Sequence, residues 1–439
     1  MNKRIGTLVA AVLLGALGVP GPAAAQDGSY LQGVGAVNAA MGGAGVAATT
    51  GVLGGFHLNP ATLMAYDGSR LEFGFAFRDP SLAVASERGG VSGVTESSDV
   101  SSFLSSMGAS YRVSDRVALG LGILETGGFK ADYPVTPANP VLAPQPEGLG
   151  SVRTEFESVQ ITPTIAIAVS DRLWLGGSLT VNRASLALQP FLFQAPVTSP
   201  GFGSPFDRSH FSSALAGDTR VGVGFLGGLV WNINDMVSVG ASYNSERTFG
   251  TFEFSSVNAN PNQLSFGLRR PLSLDLELPA VLAGGVSAMM LPDLMVAADA
   301  RYLFYEDAAG FAAAQAVVQT DGSIDGLGWE NALVIAVGAQ YRLSDAVLLR
   351  GGYNDADNPV PDELATINVG TASIIEKRLS FGIGWRPERR FEVSASYTRG
   401  FENSGAGTLS GGFLDGVSVT NTQSENTFAL QFTLGSRGL

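Results

Sequence analysis

The sequence predicts an all-β fold: a 14-stranded antiparallel transmembrane β-barrel plugged by a small N-terminal hatch. Three observations lead there. Charged residues make up only 15% of the chain and mean hydropathy is positive at +0.21. Apolar residues nevertheless recur with a period of two rather than 3.6, and no later stretch holds the roughly 18 uninterrupted apolar residues of a helical span. A tight polar turn is also written repeatedly, most plainly as YRVSDRVALG at 111–120 and YRLSDAVLLR at 341–350. A hydrophobic exported chain without helical spans has one membrane solution, a closed barrel that pairs every backbone group between strands.

Residues 1–25 read as a secretory signal peptide. Lys3 and Arg4 precede an apolar run too short to span, and Ala23-Ala24-Ala25 supplies the cleavage site. The chain has no cysteine, which excludes disulfides, thiolate metal sites and a Cys nucleophile. A net charge of −13 argues against nucleic acid as a partner.

Residues 26–67 are the expected hatch. They are rich in Gly and Ala, and small side chains allow close packing in a confined space. A free periplasmic tail is the other reading, but it would leave Val46, Phe56, Leu58, Leu63 and Met64 in water. Asn59, Pro60 and Ala61 look like a helix start, with Asn as cap and Pro at the first position.

The barrel is expected over 68–434, followed by a short tail, 435–439. Alternation places strands near 68–79, 101–113, 116–129, 153–169, 173–188, 217–232, 236–254, 272–290, 294–306, 329–343, 346–355, 375–386, 390–402 and 424–434. In PLSLDLEL (271–278) the leucines read as one face and Ser273, Asp275 and Glu277 as the inward one. Short turns gather on one rim and seven long connections on the other, 80–100 among them. Tyr111, Trp231, Tyr341 and Trp385 stand outward just before turns, at the depth amphipathic rings prefer. Trp174 has that depth but inward parity.

Apolar residues at inward positions make ligand-pocket candidates: Leu104, Leu124, Leu226, Val281, Met295, Leu303 and Leu348. Packing against the hatch is an equally open reading for them. Thr126, Gly127 and Gly128 fit either a bulge in the third strand or its ordinary end.

AVNAAMGGAGVA followed by NPATL, LELPAVLAGGV (276–286) and RGGYNDADNPVP (350–361) resemble segments of the FadL/TodX family of outer-membrane transporters. The resemblance spans most of the chain. It implies a hatch-gated barrel in the outer membrane of a Gram-negative bacterium, most simply a monomer among lipid and lipopolysaccharide. Its cargo would be long-chain fatty acids or aromatic and aliphatic hydrocarbons, crossing passively without a cofactor or metal. Exit would be sideways into the bilayer at a kink in the third strand, where Thr126, Gly127 and Gly128 fall. The places matching the family's basic residues read Gln189-Pro190 and Gly328-Trp329, which favours an uncharged cargo; Arg183 is a possible substitute.

Three other classes stay in view. A general porin for small polar solutes and a surface-receptor or structural barrel share the strand pattern. An enzyme is disfavoured by just two histidines, His57 and His210, and by the lack of an intact G-x-S-x-G or H-E-x-x-H motif.

Overall fold

A computed structural model of the protein describes residues 29–98, 100–198, 209–312, 318–371, 373–409 and 414–436. The expected signal peptide lies outside them. Fourteen antiparallel strands close into a barrel: β1 Ser69–Arg88, β2 Ser102–Ser114, β3 Val117–Tyr133, β4 Val152–Ala168, β5 Leu173–Gln189, β6 Ala214–Asn232 and β7 Val237–Asn244 continued by Arg247–Phe249. The second half comprises β8 Glu277–Leu278 continued by Val281–Leu291, β9 Leu294–Leu303, β10 Ala332–Ser344, β11 Val347–Ala356, β12 Lys377–Glu388, β13 Phe391–Thr408 and β14 Ser418–Gly435. Closure runs along the whole of β1, from Arg70 opposite Gly435 to Glu87 opposite Ser418. No sheet edge is left toward lipid there, as the hydrocarbon core demands.

The repeated turns lie together on one rim, beside both ends of the barrel wall, where the Ser436 amide donates to the Ser69 carbonyl at 2.8 Å. The lipid-facing positions carry the expected apolar band. Ile161, Ile165 and Ile167 on β4 and Val221, Val223, Phe225 and Leu229 on β6 are exposed, as are the rim rings Tyr111, Trp231, Tyr341 and Trp385. Trp174 does face inward, where it packs against the hatch.

The opposite rim departs from the sequence reading in three places. One is that β13 runs on to Thr408 and β14 begins at Ser418, where a connection between 402 and 424 is expected. The connection expected over 80–100 is mostly strand. Leu82 and Val84 keep the alternation going past Pro80, Gly89 and Gly90 turn the chain at positive φ, and Val91–Glu96 folds back on β1. Conversely, the long strands expected over 236–254 and 272–290 break. Pro279 cannot donate to a ladder, and beyond it Leu272–Leu274 peels away to pair with Phe252–Phe254 as a separate hairpin. Leu272, Leu274, Leu276 and Leu278 are therefore buried toward the interior, not turned to lipid.

Residues 29–66 fill the lumen with two short helices, α1 Gly35–Ala40 and α2 Val52–Leu58, and a 3₁₀ turn, Pro60–Ala65. Val46, Phe56, Leu58, Leu63 and Met64 are all within 2% of full burial. Inward glycines give the hatch its room. A Cβ at Gly176 would overlap the Ala61 amide, and one at Gly228 would overlap the Asn59 carboxamide. Gly176→Val thus sets a branched side chain against backbone that cannot move aside, an overpacking of about 1–3 kcal/mol. The expected outcome is an intact barrel with a displaced hatch. Planar-bilayer recordings should show large ion-conducting steps in the variant and none in the wild type.

Candidate functional site

The hatch is held by charges that the strands aim inward. The Asp299 carboxylate on β9 accepts from the amides of Gly45 and Val46 at 2.6 and 2.9 Å. Glu72 on β1 accepts from the Leu53 amide at the start of α2 at 3.1 Å, and Arg70 pairs with it at 2.6 Å. Arg301 donates to the Gln32 carbonyl at 3.0 Å. Such charge-assisted bonds are about twice as strong as neutral ones, and burial raises the cost of breaking them.

Asn59 is more than a cap. Its Oδ1 accepts from the Ala61 amide at 3.1 Å while its Nδ2 donates to the carbonyls of Val46 at 2.7 Å and Leu229 on β6 at 2.9 Å. One side chain thereby fixes the turn, the preceding hatch loop and the wall. His57 donates from Nε2 to the Leu31 carbonyl at 2.9 Å and stacks on Tyr30 at 4.6 Å.

Outward of the hatch, the lumen holds an apolar core rich in aromatic rings. Trp329 sits at its centre, 4.8 Å from the Phe311 ring, 5.1 Å from Tyr305 and 6.5 Å from Phe129, with its Nε1 donating to Asn368 at 2.8 Å. A cleft of ≈ 580 Å³, its solvent-filled mouth included, opens in this core. Phe129, Leu149, Val152, Leu186, Leu188, Leu192, Phe193, Leu274, Leu276, Ile324, Leu327, Ile367 and Val369 give its apolar wall. Thr154, Gln189 and Thr371 are its polar side chains, and no ionisable residue lines it among the described residues.

The wall beside the cleft is interrupted. The ladder between β2 and β3 stops at Ser106 opposite Leu124, although β3 runs on to Tyr133. On the other side of β3, Glu125 faces Val159 and Gly127 faces Ser158, so Thr126 is an extra residue in a bulge, followed by Gly128 at φ 155°. The bulge flips the parity of the strand. Leu124 faces inward below it; Phe129, Ala131 and Tyr133 face inward above it.

A small space, ≈ 270 Å³ with its open solvent included, lies behind the interruption, lined by Leu31, Val34 and Gly35 of the hatch and by Gly74, Ala76, Leu104, Ser106 and Glu125. It also touches Phe75, whose ring is exposed on the lipid-facing side.

The pocket candidates read from the sequence are scattered. Val281 and Leu303 belong to the aromatic core, while Leu104 and Leu124 pack on Leu53, Phe56 and Leu63 of the hatch. Met295 packs against Met41 and Ala44, and Leu226 is buried in the wall. Leu348 does not reach an apolar pocket: two residues from its turn, it lines a polar space with Arg342, Arg350, Arg386 and Glu392. Arg183 lies exposed on the outer face, because Asn182 and Ala184 hold the inward positions of β5.

The cleft residues Phe129, Ile367 and Val369 went unnoticed in the sequence. Phe129 follows a change of phase in ILETGGFKADY that is legible once a bulge is allowed; INVGTASII lies in what reads as a connection.

A closed 14-stranded barrel with a lipid-facing apolar band and a docked lumenal hatch defines an outer-membrane transport protein. The chain belongs to the family described as Outer membrane protein transport protein (OMPP1/FadL/TodX), whose model matches residues 21–434. No curated protein sequence matches it.

Among solved structures it is similar to a Pseudomonas aeruginosa FadL homologue, at 18% identity and TM-score 0.71, with 93% of this chain and 99% of that one covered. It is also similar to the Pseudomonas putida toluene transporter TodX, at 17% and 0.67, over 93% and 100%. The Ralstonia pickettii toluene transporter TbuX follows at 19% and 0.64, over 93% and 99%. At these identities the likeness shows the shared fold.

Burial pushes the His57 pKa down from 6.5 to about 3, with Arg301 and Arg247 adding to the effect against the Leu31 hydrogen bond. The undocked hatch therefore binds a proton more readily than the docked one. Docking is unaffected above pH 6.5 and weakens as pH falls from 6.5 toward 3, by a total on the order of 5 kcal/mol. Conductance of the reconstituted barrel should stay flat above that window and rise as pH falls through it, and His57→Gln should flatten the response.

Proposed function

We propose that the protein carries uncharged apolar molecules passively through the outer membrane. Molecules enter among the outer connections and settle in the cleft beside Phe129 and Ile367. The hatch bars the direct route to the periplasm, so they leave sideways through the interruption between β2 and β3 into the bilayer. The observation that carries this reading is the cleft lining, apolar throughout apart from Thr154, Gln189 and Thr371 and without an ionisable group among its described residues. A pocket of that chemistry lowers the free energy of an apolar ligand by the area it removes from water.

The positions matching the family's basic residues support the same choice. Gln189 and Pro190 line the cleft, and Trp329 buries its ring in the neighbouring core. Two of the similar structures are named as toluene transporters, a cargo of the same kind. A neutral hydrocarbon, aromatic or aliphatic, is thus favoured over a fatty acid.

The porin reading fits less well, since residues 29–66 occupy the lumen that a porin would leave open. We read the barrel as a carrier that does no covalent chemistry. His57 is engaged with Leu31 inside the hatch, and the family's description is one of transport. A wall closed on itself from Arg70 to Glu87 needs no second copy, which favours a monomer surrounded by lipid and lipopolysaccharide.

Leu327→Asp tests the cleft. Burying a carboxylate among Phe129, Ile324 and Ile367 should lower uptake of labelled toluene by cells at least about tenfold, with the barrel still folded by its heat-modifiable migration in gels. Unchanged uptake would remove the cleft from the route.

A further inference from the structure

On the side of the short turns, which in such barrels is the periplasmic one, hatch and wall enclose a polar space of ≈ 1020 Å³ with its open solvent included. The guanidinium groups of Arg70, Arg342, Arg350 and Arg386 line it, against the carboxylates of Asp67 and Glu392. Four positive charges thus meet two negative ones, in a chain whose net charge is −13. Strand parity brings them together, since each arginine holds an inward position of β1, β10, β11 or β12.

Arg350 is fully engaged, donating to Gln340, Glu392 and Ser394 at 2.7, 2.9 and 3.1 Å. The other three are held at Nε. Arg70 pairs with Glu72 at 2.6 Å, Arg386 with Glu392 at 2.7 Å, and the Arg342 Nε lies 3.9 Å from Asp293. Their terminal nitrogens make no hydrogen bond among the described residues. Water does not fully serve them either, because the side chains of Arg70 and Arg386 are only 13% and 21% exposed. Guanidinium groups gathered in a half-enclosed space repel one another, and an anion placed among them removes that cost. Each free pair of nitrogens matches two oxygens of one anion. A planar carboxylate has two oxygens in all, whereas a tetrahedral phosphate has enough to meet three arginines at once.

We propose that this space is a binding site for a phosphate group, held by Arg70, Arg342 and Arg386 of the wall and bordered on the hatch side by Thr49. A phosphate there spans hatch and wall, so its binding favours the docked hatch by mass action. The group is either free in the periplasm or the headgroup of an inner-leaflet lipid. Arg342 and Arg386 directly follow the rim rings Tyr341 and Trp385, which puts them at headgroup depth. The cleft lies on the far side of the hatch, so the site stands apart from the cargo route.

Because the chain has no cysteine, Thr49→Cys places a single thiol at the edge of the space. The full-length barrel in neutral detergent is labelled there with an uncharged maleimide at constant ionic strength. With inorganic phosphate at about ten times its Kd, labelling should slow roughly tenfold. Adding Arg342→Gln and Arg386→Gln should abolish the slowing, with folding checked by heat-modifiable migration. A second arm uses phosphatidylglycerol bilayer discs without free phosphate.

Slowing by added phosphate in micelles assigns the site to the free anion. Slow labelling in the discs that the two Gln substitutions relieve assigns it to a lipid headgroup. A rate indifferent to phosphate in both settings, or protection that survives the two substitutions, overturns the site.

Discussion

The structure depends on one constraint: inside a bilayer, backbone N–H and C=O groups must find partners within the protein. Fourteen strands meet it by closing on themselves, and the β1–β14 seam is as long as any other. Against that background the short stretch where β3 outruns β2 is anomalous. A bulge at Thr126, a parity flip and a carboxylate reaching over to Ser105 are all consequences of ending a ladder at membrane depth. A protein keeps such a feature in its wall at a cost in stability. That cost is the physical argument for a role in function.

The hatch makes the interruption useful. A barrel of this size without contents would pass water and ions. Here Asp299, Glu72 and Arg301 fasten the hatch at several heights, and inward glycines let its backbone approach the wall closely. The lumen is thereby divided into an apolar outer chamber with the cleft and a polar space on the side of the turns, where Arg350 and Arg386 share Glu392. An apolar molecule in the outer chamber has no favourable path through that polar layer. On the proposed route, the wall is the way that desolvates fewest polar groups.

Much of the barrel was legible because its period is short and its turns repeat. The number of strands and the aromatic rim follow from alternation and from turn residues alone, as with Tyr111 and Tyr341. What alternation could not show is where a strand leaves the sheet. Leu272 to Leu278 alternate as cleanly as a lipid-facing strand, yet Leu272–Leu274 leaves the barrel to pair with Phe252–Phe254, and Leu274 and Leu276 line the cleft. Pocket residues were misplaced for a related reason. Depth along the barrel, not parity, separates Val281 in the aromatic core from Leu348 at the polar end, and depth is a property of the closed shape. Arg183 illustrates the reverse, since the parity of β5 alone puts it outside.

The account stands or falls on the route from cleft to lipid. The direct measurement is photolabelling of the folded wild-type barrel with a neutral alkylbenzene carrying a diazirine, followed by mapping of the labelled peptides by mass spectrometry. The account predicts labels on cleft residues such as Phe129 and Ile367 and along the gap at 104–106 and 124–128, all competed away by excess toluene. Labels confined to the outer lipid-facing band, or carried through to the polar space around Arg350 and Glu392, would contradict it.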